Sequence, residues 1–570
     1  MKTVMISTLA IALGVAELAP SAVAAERIKI SKQTALANLV SEAQQNTIFE
    51  AAKTLAPGVK IDIPDWLRAQ YRRNHVDYRN VAIPGDPTGG YPLALETLYA
   101  WMLRHQDLQP SPEIKTQSPV TATVGPNVQI SGRNGAPRSE SDIRLDHTDP
   151  NRIIGASNDI SNGRQAQFFS SDGGASWGQT ALPLLSGDSL HSDPTVDWTS
   201  DGTAWATTIG IDASTTVLQM RAYKSTDGGK TWTFDATFSG DQTSADKQLM
   251  WVDHNTSSRY KDHIYVIWHN GRPAFANYRD SSGWHTPIRL SAAETTGTAI
   301  GSDITSNSAG SVFAVWPDTG SKRLFFVKSE DGGATFSSPR PIAKTLATFQ
   351  ISIPAFAQRS ALVGVSVAAF KSGSRDDVYV SWLDLCGNPG CNTPDNEPGT
   401  DVNSTCKSRI WFTRSTDGGT TWTEPVRKIN DASATSDQFN QKLAVDPETG
   451  VLGITYYDTG DGISRAKTNL MFQYSTDGGN TWSEKPTKVT EVSTDETTAN
   501  ADSGNQYGDY NGLSVAKGVF FPSWTDRREG KSESIFAARI GFKSSATGAI
   551  EPELLSDFKT VEQTGERNGQ

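Results

Sequence analysis

Ser225-Thr226-Asp227-Gly228-Gly229-Lys230-Thr231-Trp232 is the most informative stretch of the chain, because the chain keeps returning to it. An Asp-Gly-Gly run between two apolar segments marks a tight β-hairpin, since glycine accepts the positive φ that such a turn demands. The aspartate carboxylate can accept N–H bonds from its own turn, the Thr hydroxyl can add another, and the Trp can fold back over the loop. The pattern recurs at Ser170–Trp177, Ser329–Phe336, Ser415–Trp422 and Ser475–Trp482, which makes five intact copies. A worn copy, Tyr278–Trp284, has lost one glycine and the threonine. These side chains hold hairpins, so Asp172, Asp227, Asp331, Asp417 and Asp477 are assigned structural roles.

Working outward, each turn is preceded by two apolar runs. The first opens on an acid or its neighbour, at Glu140, Asp193, Asp246, Asp303, Asp437 and Asp509. The second ends on an aromatic residue and then Asn or Asp, as at Trp316-Pro317-Asp318, Trp382-Leu383-Asp384 and Trp524-Thr525-Asp526. Seven second runs can be counted, at 152–158, 203–209, 263–269, 311–316, 377–382, 451–457 and 518–524. Units of this kind cannot bury their apolar faces alone, so they must stack. The last unit has three strands and no turn motif, and Asn127–Ser131 is placed to supply its fourth, closing a ring. The expectation is an all-β propeller over residues 126–545 with seven blades, six being the runner-up.

The pattern Ser-x-Asp-Gly-Gly-x-Thr-Trp resembles the Asp-box repeat of the sialidase superfamily and related β-propellers. The resemblance covers most of the chain and speaks to fold more than to activity, because Asp boxes also occur in propellers that are not sialidases. It implies catalytic domains of six blades and a glycan as partner. It also implies three arginines on a substrate carboxylate, a Tyr nucleophile activated by a Glu, and an Asp acid/base. The Arg-Ile-Pro motif that usually carries the first arginine is missing; Arg144, Arg272, Arg465 and Arg527 are the arginines available. Tyr510 is the candidate nucleophile and Glu140 its partner.

Propeller geometry brings the start of each first strand and the end of each second strand to one channel mouth, with the Asp boxes on the opposite face. The mouth then collects Asp193, Asp246, Lys247, Asp303, Asp437 and Asp509 with Asn158, Asp159, Asn270, Asp318, Asp384, Asp458 and Asp526. Crowded carboxylates must be protonated, paired or bound to a cation. A pair across the channel can serve as acid and base in glycoside hydrolysis, and the ring offers the oxygen ligands that Ca²⁺ favours. The bland alternative is that each Asp bonds backbone N–H groups between blades. Glu140, Asp193, Asp246, Asp303, Asp509 and Tyr510 are the candidate catalytic groups. Arg144, Arg272, Arg465, Arg527, Trp524 and Asp526 are the candidate substrate contacts. Two functions follow: a sialidase-like glycoside hydrolase, or a non-catalytic propeller that binds surface glycans or proteins.

Composition narrows the rest. The 570 residues carry 52 Lys and Arg against 63 Asp and Glu, a net charge of −11, which disfavours a phosphate-driven nucleic-acid binder. Forty-nine Gly suit a turn-rich β-protein, and 15 Trp with 21 Phe supply core. Residues 1–25 read as a bacterial-type secretory signal, with Lys2, an apolar run and the small-x-small site Ala22-Val23-Ala24, so a periplasmic or extracellular location is expected. No later run is long enough to span a bilayer. Cys386, Cys391 and Cys406 share one loop, and two of them are expected to form a disulfide. Residues 26–110 show a near-3.6 apolar period and read as a small helical domain, 111–125 as a linker and 546–570 as a solvated tail.

Overall fold

The computed structural model describes residues 115–543, apart from 118–120, 132–135, most of 392–401, 425, 431–435, 461–463, 503 and 529–531. The expected signal segment, the helical domain over 26–110 and the tail from 546 lie outside the described residues.

Seven antiparallel blades stand around a channel. Their innermost strands are Arg138–Leu145, Leu190–Trp198, Ala245–Val252, Asp303–Ser306, Val365–Ser372, Gln438–Val445 and Gly512–Ala516, in blades 1 to 7. Each inner strand packs on the next, and the seventh packs on the first, so the ring is closed. Blade 7 is completed from the N-terminal side as expected: Val128–Gln129 pairs with Ser534–Ala537. Thr121–Val124, at the end of the stretch read as a linker, adds a second clasp against Ile540–Lys543. A ring held by strands from both ends of the domain leaves no open first or last blade. The molecule is a seven-bladed β-propeller.

The Asp boxes behave as their chemistry dictates. In blade 2, Asp227 Oδ1 accepts from Thr231 N at 2.9 Å and Lys230 N at 3.1 Å, while Oδ2 accepts from the Thr231 hydroxyl at 2.6 Å. The Trp232 indole N–H folds back to Gly229 O at 3.0 Å. Both glycines have positive φ, 81° and 88°. Desolvation opposes ionisation of Asp227, but the Thr231 and Ser225 bonds outweigh it and hold the carboxyl at about 2.

The second glycine has a further reason to lack a side chain. A Cβ on Gly419 would lie 2.3 Å from the Phe326 ring of the preceding blade, and one on Gly479 would lie 2.5 Å from Phe412. The box tryptophans meet the same rings edge-on, Trp422 on Phe326 at 5.2 Å and Trp482 on Phe412 at 5.4 Å. Each of these boxes therefore closes its own hairpin and also docks its blade onto the one before. In worn blade 3 the missing bonds are partly replaced: Asp280 accepts from Ser282 N at 2.8 Å and sits 3.0 Å from His285 Nε2.

The aromatic residues that end the second strands are core. Trp268, Trp316, Trp382 and Trp524 are fully buried, which fixes why that position recurs. Of the three cysteines, Cys391 and Cys406 form the disulfide.

Candidate functional site

The channel mouth is built by irregularities in the inner strands. In blades 1, 2, 3 and 6 the inner strand slips register against its neighbour, at Ser139/Asp142, Ser192/Thr195, Asp246/Leu249 and Phe439/Lys442. Each slip contains one non-glycine residue in the left-handed region: Glu140 at φ 57°, Asp193 at 57°, Lys247 at 59° and Asn440 at 50°. A bulge of this kind re-aims a side chain. The left-handed backbone costs a residue with a Cβ about 1–2 kcal/mol. Four such residues at one level of one channel mark a place where side-chain direction outweighs local strain, the usual sign of a site.

Three of the four side chains, Glu140, Lys247 and Asn440, meet partners from other blades. The Lys247 ammonium pairs with Asp509 Oδ2, reaching from blade 3 to the approach of blade 7. Arg359, from the loop between blades 4 and 5, holds the other Asp509 oxygen and stands 3.9 Å from Glu140 Oε1. Glu140 accepts from Asn158 Nδ2 at 2.8 Å and from Asp509 N at 3.3 Å. Asn440 Nδ2 donates to Gly508 O at 3.0 Å. The Tyr510 hydroxyl donates to Pro194 O at 3.1 Å, and the Lys247 ammonium lies 5.7 Å from its ring centre. Beside this network lies a cavity of about 50 Å³, lined in part by Lys247, Asn440, Asp509 and Tyr510.

The electrostatics split the acids. Asp193 is buried, accepts from the Ser192 hydroxyl at 2.7 Å, and leaves Oδ2 without a hydrogen-bond partner. Desolvation, then the Glu140 charge, push its carboxyl up to about 7 against the pull of Lys247. Asp246 goes the other way: desolvation is outweighed by His269 and Lys247, and its carboxyl is lowered. Burial and the charges of Asp193 and Glu140 push the Tyr510 phenol well above its ordinary range, which keeps it neutral.

Other candidates lie elsewhere. Asp303 turns into the wall, where Oδ2 accepts from Val367 N of the next blade at 3.0 Å and pairs with Lys442 at 2.9 Å. The four arginines do not form a cluster on one group. Arg144 bonds Asp142 at 2.8 Å. Arg465 pairs with buried Asp437, and Arg527 stands 3.5 Å from buried Glu533. Arg272 is exposed. Trp524 is buried and donates to Asp526 Oδ2 at 3.0 Å, and Asp526 also takes Arg528 at 2.6 Å.

The strand-end acids anchor loops. Asp318 accepts from Gly297 N and Ser321 N, both at 2.8 Å, and Asp384 from Leu346 N at 2.7 Å and Ala347 N at 2.8 Å. Among the described residues, three His, Cys, Asp or Glu ligand atoms come within 4.8 Å of one another at Cys386, Cys391 and Cys406. Sequence reasoning missed Arg359, which has no motif and no repeat around it, and Asn440, whose signal is its equivalence to Glu140 and Asp193 once the bulges are aligned.

Neither a family model nor a curated protein matches the chain. Solved structures with a similar course include a protein of unknown function from Dyadobacter fermentans, 13% identical over 74% of this chain and 99% of that one, at a TM-score of 0.39. A leech intramolecular trans-sialidase is 12% identical over 63% of this chain and 71% of its own, at 0.41. An α-L-arabinofuranosidase of Fusarium graminearum is 12% identical over 61% and 91%, at 0.38. At this level of similarity no activity passes from them to this chain. Among the described residues, no helix is long and apolar enough to cross a membrane.

Proposed function

We propose that the channel mouth is the active site of a glycoside hydrolase acting on neutral glycans. The observation that supports this reading is a buried carboxyl held up to about 7, Asp193, beside a carboxyl held low, Asp246. Two carboxyls driven apart by their surroundings are what acid/base chemistry on a glycosidic bond requires. In this reading Asp193 gives its proton to the glycosidic oxygen as the bond from that oxygen to the sugar carbon breaks. Water adds to that carbon and gives its proton to the Asp246 carboxylate. The products are a hemiacetal and an alcohol; Asp246 then releases its proton to solvent and Asp193 takes one back.

The substrate is read as neutral because Lys247 and Arg359 both pair with Asp509, and Arg144, Arg465 and Arg527 engage acids of their own. An anionic sugar would meet carboxylates, and these five cations are already engaged. The neutral Tyr510 phenol is assigned to positioning Pro194, not to nucleophilic attack. Secretion or a periplasmic location belongs to the same proposal, supported by the signal-like residues 1–25 and the Cys391–Cys406 disulfide.

The small volume beside the network favours a second reading, a propeller whose mouth is cross-linked shut and which binds glycans or proteins without turnover. A panel of neutral and sialylated glycosides separates the two. Hydrolysis of a neutral glycoside that is lost in Asp193→Asn, with melting unchanged, supports the first. Silence across the panel supports the second.

A further inference from the structure

The other end of the channel, where the inner strands finish and the Asp boxes lie, holds a cavity of about 350 Å³. That falls in the range of small-ligand sites. Its lining includes Arg144 and His147 from blade 1, Trp251 and His254 from blade 3, Phe370 from blade 5 and Lys442 from blade 6.

The cations of this wall are met by acids. Arg144 bonds Asp142 at 2.8 Å and stands 3.7 Å from Asp197, and Lys442 meets Asp303 at 2.9 Å. His254 Nε2 lies 2.7 Å from Asp197 Oδ1. Two buried polar atoms of the lining have no hydrogen-bond partner in the protein, Arg144 Nε and His254 Nδ1. Buried polar atoms rarely stay unmatched without a reason. Arg144 Nε presents a hydrogen, and His254 Nδ1 is a ring nitrogen open to a hydrogen-bond partner. His147 stacks on His254 with ring centres 3.8 Å apart, and Trp251 meets His254 edge-on at 5.0 Å. Burial, His254 and Arg144 push the His147 imidazole well below its ordinary range, so it adds no charge.

Unmatched buried polar atoms, aromatic walls and cations already met by acids suit an uncharged molecule whose hydroxyls both give and accept hydrogen bonds and whose C–H faces pack on rings. We propose that this cavity binds a neutral polyhydroxylated molecule of monosaccharide size, at a site separate from the channel mouth.

The full chain is titrated with glucose, galactose, arabinose and N-acetylglucosamine, and with inorganic phosphate as the anionic control, by calorimetry and tryptophan fluorescence. Saturable binding of at least one sugar, without phosphate binding, is expected. Ala444 also lines the cavity, and Ala444→Phe fills it while leaving every polar group in place, so binding is expected to vanish with melting unchanged. Trp251→Leu is expected to weaken binding about tenfold through loss of an aromatic wall. This second variant decides the matter if Ala444→Phe fails to fold. Asp193→Asn is expected to bind as the parent does. No saturable signal with any sugar up to about 50 mM, a range that would still register very weak binding, overturns the proposal. So do binding that survives both cavity variants, binding of phosphate alone, and binding lost in Asp193→Asn.

Discussion

The Asp boxes and the channel mouth are both rich in aspartate, yet they treat it in opposite ways. In the boxes, each carboxylate is met by its own turn, and Asp227 is held at about 2. At the mouth, Asp193 is met by one hydroxyl, crowded by Glu140 and held at about 7. A box is local: Ser225, Lys230 and Thr231 of the same hairpin supply the bonds. The mouth is non-local, because its pairs join residues up to 369 positions apart. Local satisfaction produces a staple, whereas incomplete satisfaction between blades leaves a carboxyl able to exchange a proton near neutrality.

Breaking a staple gives the largest effect. Gly419→Val forces a side chain into Phe326 at φ 82°, so a loss of about 3 kcal/mol in unfolding free energy is expected by denaturant titration. Breaking the mouth costs activity instead. Asp193→Asn is expected to lower hydrolysis about 100- to 10,000-fold while the melting temperature holds or rises. Lys247→Met leaves Asp509 with Arg359 alone and is expected to destabilise by about 1.5 kcal/mol, with the loss reduced when Asp509 is also made Asn.

The two regions also predict opposite pH slopes. Asp193 has a folded value of about 7 against about 3.9 unfolded, so its contribution to stability is full below about pH 4 and is lost as pH rises to about 7. Asp227 sits at about 2, so its contribution is full above about pH 4 and is lost as pH falls towards 2. Asp193→Asn is expected to flatten stability between pH 4 and 7 and to leave the acid limb intact, as melting followed across pH will show. The smallest effect belongs to one box hydroxyl: Ser176→Ala removes an exposed bond to Asp172 and is expected to cost about 0.5 kcal/mol.

The same contrast explains what the sequence made legible. The boxes and the seven second strands are written locally, so the blade number and the closing strand near Val128 could be read from spacing. The docking of Gly419 on Phe326 was not legible, since the partner is another blade's ring. At the mouth, openings were aligned by their acids, but the structural equivalence runs through the bulge. Asp303 answers to Asp142, and both accept an N–H from the next blade, at Val367 and Val196. Gly301, with φ 83°, takes the place of Glu140 and Asp193 in blade 4. A bulge filled by Glu, Asp, Lys and Asn in turn has no residue signature, and Arg359 arrives from a loop outside the repeat.

The most direct test is a carboxyl titration, by infrared difference spectroscopy or carbon NMR, of the parent chain and Asp193→Asn. One carboxyl titrating near pH 7, present in the parent and missing from the variant, is the predicted result. A parent with no carboxyl titrating near neutrality, or a variant that keeps it, would contradict the assignment of Asp193 and with it the acid/base reading of the channel mouth.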